Sequence, residues 1–126
     1  MSEVNIKHFK NLNSDCLRGI EFYEQELDIL EQRLKEIAGD NTGKEASEGI
    51  EHFQNQFIIH GDQMDQLKHL IHANDKDMEV ELLKTNVFVH EHTALIHHNL
   101  YEQYLTGEKI FNGLRHEFNR FAAKWM

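Results

Sequence analysis

The chain has 126 residues, no proline and seven glycines, so little in it breaks a helix, and its length suits one domain, 1–126, with a real core. Thirteen basic against 22 acidic residues give a formal charge of -9, which argues against nucleic acid or an anionic membrane as a partner. The mean hydropathy of -0.63, with no run near the ~20 apolar residues that spanning requires, excludes a transmembrane helix.

The first residues, MSEVNIKHFK, contain no apolar core of a secretion signal, and the single Cys16 has no intrachain partner. Together these lead us to expect a cytoplasmic protein. Residues 1–12 carry scattered apolar groups without a clean period, and we read them as a strap or a short helix separate from the first long one. A first long helix is predicted over 14–38, capped by Asn13 or Ser14. Its apolar seam is Leu17, Ile20, Tyr23, Leu27, Leu30, Leu34 and Ile37, in steps of three and four. AGDNTGKEAS follows as a loop, and Thr42 with Glu45 has the spacing of a capping box.

The second helix is predicted over 43–73. Its seam is Ile50, Phe53, Phe57, Met64, Leu67 and Ile71, with His60 standing in the one gap. Asn74 and Asp75 have turn chemistry, so a third helix is predicted over 75–105, with Val80, Leu83, Val87, His90, Ala94, His97, Tyr101 and Tyr104 inward. Thr106-Gly107 looks like a break before a short fourth helix, 107–125, holding Ile110, Phe111, Leu114, Phe118, Phe121 and Trp125. Short connections make successive helices antiparallel, and the expected fold is an all-α, up-down-up-down four-helix bundle with a short fourth helix. Because that helix is short, Met64, Leu67, Ile71, Val80 and Leu83 would lack a wall unless the strap or a second subunit covers them. Self-association, or docking of another helical protein, is the partner expectation.

Ten histidines are many for this length. By helical phase only His60, His90 and His97 point inward. A hairpin at 74–75 would set His60 opposite His90, with Tyr23 and Glu24 at the same height. One reading is a buried, hydrogen-bonded polar layer of His60, His90 and Tyr23, with His97 a heptad away, fixing helix register. Its alternative is a divalent-metal site, zinc or iron, held by His60, His90 and Glu24. The polar layer is preferred, because no glutamate is followed three residues later by histidine, as ferritin-like sites require. Facing imidazoles also suggest a core sensitive to pH.

No catalytic constellation is visible. Cys16 near a helix start could be an activated thiol, but no histidine is evidently beside it. The last stretch is basic: Lys109, Arg115, Arg120 and Lys124 stand against Glu108 and Glu117, a segment expected to dock on the acidic remainder. The stretch EHFQNQFIIHGDQMDQLKHLIH and the ending HEFNRFAAKWM resemble a family of small all-helical proteins from Bacteroidetes-group bacteria. That resemblance implies a bacterial cytoplasmic protein and carries no activity. On these grounds a non-enzymatic structural or interaction bundle is the expected function.

Overall fold

A computed structural model describes residues 6–85 and 90–126, and these form three helices: α1, Ile6–Asp40; α2, Lys44–Thr85; and α3, Glu91–Trp125. Each helix packs on the other two. Lys10 meets Glu79 and Glu24 meets Lys68, so α1 and α2 run antiparallel. Phe53 meets Phe118 and Asn74 meets Thr93, so α3 reverses again and lies parallel to α1.

The expected four-helix bundle is therefore overturned. Both misplaced breaks have the same cause, a polar or small residue standing in a seam. On α2 the buried positions run Phe53, Phe57, His60, Met64, Leu67, Ile71, Asn74, Met78 and Glu81, alternating steps of four and three without a slip. Asn74 continues the seam instead of turning the chain, because its amide has partners inside the bundle. The residues joining α2 to α3 fall at 86–89, outside those described, and with them Val87 and Val89. Val80 and Leu83, expected in a core seam, are exposed.

On α3 the inner stripe is His97, Leu100, Tyr104, Gly107, Phe111, Leu114 and Phe118, again with steps of three and four. Gly107 costs helix stability, by about 1 kcal/mol relative to alanine. In exchange, its bare Cα admits the Met64 thioether of α2: a Cβ there would lie 2.5 Å from Met64 Cε. Continuity of α3 follows from packing, not propensity.

At the other end, residues 6–12 are helical but are neither a strap nor a separate short helix: they are the first turns of α1 and bury Ile6 and Phe9 against Met78 and Ala94. The α1 seam is thus Ile6, Phe9, Asn13, Cys16, Ile20, Tyr23, Leu27, Leu30, Leu34 and Ile37. The chain turns at 41–43, where the Asn41 amide donates to the carbonyls of Ile37 and Trp125, tying the ends of α1 and α3 together (2.9 and 3.1 Å). Glu45 does not close a capping box with Thr42; its carboxylate meets Lys124 (2.5 Å). With Arg115 on Glu26 (3.2 Å), the basic end of the chain docks on its own acidic residues.

Close approach is sharpest at Gly19 of α1, where a Cβ would stand 1.8 Å from the Tyr104 hydroxyl oxygen. Gly19→Ala would gain roughly 1 kcal/mol of helix propensity but must push aside a buried ring, which overpacking data put at about 1–3 kcal/mol. We expect a lower urea midpoint for Gly19→Ala. A higher one would mean that the ring moves without cost.

Candidate functional site

The three histidines expected to point inward do not share a level, and only His60 and His97 are buried. His60 lies in mid-bundle, 3% exposed, with its ring 5.4 Å from that of Phe111. His90 is exposed at the start of α3, where its backbone amide donates to Glu81. Twenty-one residues of α2 separate His60 from Glu81, roughly 30 Å of helix. Glu24 pairs with Lys68 (3.0 Å) on the outer edge of α1. The structure therefore does not bring His60, His90 and Glu24 together. Among the described residues, no group of three or more histidine, cysteine or acidic side chains is placed to hold a metal ion. The reason is the missing turn: without a hairpin at 74–75, His60 faces the level of Phe111 instead of residue 90.

Polar chemistry is instead concentrated at the end where α1 begins, α2 ends and α3 begins. Asn13 is the hub. Its Nδ2 donates to Asn74 Oδ1 and to Asp75 Oδ1, each at 3.3 Å, and its Oδ1 lies 3.0 Å from His97 Nδ1. Since Asn13 Oδ1 can only accept, His97 carries its proton on Nδ1. Asn74 Nδ2 then donates to the Thr93 carbonyl (3.2 Å), and the Thr93 hydroxyl donates to Glu81 (2.6 Å). His97 is 1% exposed and lies stacked against Phe9, centroids 4.2 Å apart. Burial, followed by the nearby His98 and His8, pulls its pKa down to about 4, with Asp75 opposing.

Midway along the rod, Tyr23 and Tyr104 both donate to Glu108 Oε2, at 2.7 and 3.3 Å. Burial and that carboxylate push the Tyr23 hydroxyl up to about 12 and raise that of Tyr104 further. Cys16 sits ten residues inside α1, not at its start. Burial, then Asp15 and Glu108, push its thiol up to about 11, which keeps it a protonated packing group. These groups are held firmly and poorly suited to proton transfer near neutral pH.

Of the residues first singled out, His60, His97 and Tyr23 are buried and His90 is not. The sequence reading missed Asn13, Asn74, Glu81 and Thr93. Asn13 and Asn74 keep the three-four rhythm of their seams, but each also has the local chemistry of a cap or a turn, which hides them. Glu81 and Thr93 carry no such signal alone.

The fold and its polar layers define an all-α protein of three long helices, none of the described ones long and apolar enough to cross a membrane. Compared with protein-family models, curated proteins and solved structures, the chain matches none.

Proposed function

We propose that the protein is a non-enzymatic structural or interaction bundle of the cytoplasm that associates with a second copy of itself. The observation carrying this reading is the pair Phe22 and Ile29 on the flank of α1, 52% and 47% exposed. Their seven-residue spacing puts them on one stripe, ~10 Å apart. Glu26 stands between them and holds Arg115 of α3, whose guanidinium also lies 5.7 Å from the Phe111 ring. In a two-fold contact this stripe meets its own copy, apolar groups against apolar groups, with Glu26 and Arg115 able to pair reciprocally. The engagement of Asn13, Asn74, Thr93 and Tyr23 within the bundle supports a structural role for its polar groups. A lone, buried, protonated Cys16 suits a reducing compartment.

The net charge of -9 opposes association, so the dimer should tighten as salt screens it. Sedimentation equilibrium from micromolar to millimolar protein is expected to show a monomer–dimer equilibrium, shifted to dimer by salt. Phe22→Ser with Ile29→Ser should abolish it without loss of helicity. A wild-type chain that stays monomeric throughout that range would end this reading.

A further inference from the structure

One buried polar group has no work inside the bundle. Neither ring nitrogen of His60 has a hydrogen-bond partner, although the residue is 3% exposed. An unmet buried donor or acceptor is destabilising, and an apolar side chain would fit this seam between Phe57 and Met64 without that cost. His60 also lines a cleft of about 430 Å³ between α2 and α3, within the range of small-molecule sites. Met64, Leu67, Leu70 and Ile110 give the cleft apolar walls, and Gln63 and Gln103 give it neutral polar edges.

We propose that this cleft binds a small, neutral, ring-sized apolar molecule through a single hydroxyl group, which hydrogen-bonds to His60. Three features of the site select that chemistry. The imidazole offers one lone pair and one N–H, so a hydroxyl, which donates and accepts, can meet either nitrogen. Burial lowers the basicity of His60, so the ring is neutral and gives no charge to attract an anion. Glu102 on the rim, in a chain of net -9, repels anions further. Met64 supplies the means of entry. Its thioether packs in the notch at Gly107 and its side chain turns on three rotatable bonds, so a change of rotamer widens the cleft toward His60 without moving a helix.

The site lies on the α2–α3 face, away from the Phe22–Ile29 stripe, so it stands or falls independently of self-association. The test uses the full chain with two probes of matched shape, p-cresol and toluene, which differ by the hydroxyl alone. Calorimetric titration is expected to show p-cresol binding about tenfold tighter than toluene, the difference a met buried hydrogen bond makes. His60→Leu, close in volume and free of unmet nitrogens, should keep toluene binding and lose the preference. Thr106→Phe, a change at an exposed position on the rim, should fill the cleft and weaken both probes. The His60 ring resonances of the wild type should move with p-cresol. Equal affinities for the two probes in the wild type would mean that the nitrogens are met by water, and would overturn the proposal. Absence of binding by both, or a preference that survives in His60→Leu, would overturn it as well.

Discussion

Asn13→Leu is expected to lower stability by about 3–5 kcal/mol and the melting temperature by roughly 10–20 °C. The side chain is small, but three partners depend on it. Its removal strands Nδ1 of His97, a ring whose Nε2 already lacks a partner, and takes the donor from Asn74 Oδ1 and Asp75 Oδ1. The cost comes from the groups left behind, since the net gain from a satisfied bond is only about 1 kcal/mol. Removing both sides should therefore reverse the effect. Asn13→Leu, Asn74→Leu and His97→Leu together should restore stability to about the wild-type level or above it, as an apolar core replaces a polar one. What the triple variant should lose is uniqueness. Without the Asn13–Asn74–His97 layer, that end of the three rods keeps only apolar contacts at those levels and can shift register or exchange partners more easily. The Tyr23–Tyr104–Glu108 contact remains as the main restraint. Denaturation would measure the first effect, and amide line widths with sedimentation the second. A single Asn13→Leu variant as stable as wild type would show that the layer is not a connected network.

Acid is the second large lever. His97 titrates at about 4 in the fold against an ordinary 6.5, so below neutrality the unfolded chain binds the proton that the folded chain refuses. Stability should be complete above about pH 7, fall as pH drops through 6.5, and level off near 4. The loss amounts to about 3 kcal/mol from this residue, or a urea midpoint lower by about 2 M. His60, also held below its ordinary value by burial, adds in the same direction. Around His97 stand His8, Phe9 and Asn13 from α1, Asn74 and Asp75 from α2, and His98 from α3. Asp75 is the acidic group among them, and it does not offset the desolvation. His97→Gln keeps a donor for Asn13 Oδ1 and cannot titrate. It should flatten the slope between about pH 6.5 and 4, leaving the part that belongs to His60. A slope unchanged by His97→Gln would assign the acid sensitivity to other groups.

Helical content and the direction of each inner face were legible from apolar spacing over Ile20–Ile37 and Phe53–Ile71. The error lay in treating polar residues as punctuation. Asn74-Asp75 has turn chemistry when isolated, yet Asn74 falls three residues after Ile71 and four before Met78, and that phase outweighs local preference. Gly107 likewise obeys the phase between Tyr104 and Phe111, and its function is a close contact that no local propensity encodes. Once the turn was set at residue 74 instead of beyond Thr85, every cross-helix pairing on α2 and α3 shifted. His60 was paired with His90 for that reason alone. The burial of His60 was readable from one helix, whereas its lack of partners depends on what faces it from another. The Asn13 hub was hidden by a related habit, reading an asparagine near the start of a chain as a cap.

An odd number of rods has a mechanical corollary. Because the third rod points the same way as the first, Ile6 and Trp125 emerge from opposite ends of the molecule, about 50 Å apart for helices of 35 residues. A group attached at each end would be held at that separation by the rod. Tension between the two ends runs along the helix axes and loads the whole interlocked interior in shear at once, where an even-numbered bundle, pulled from one end, would peel open turn by turn.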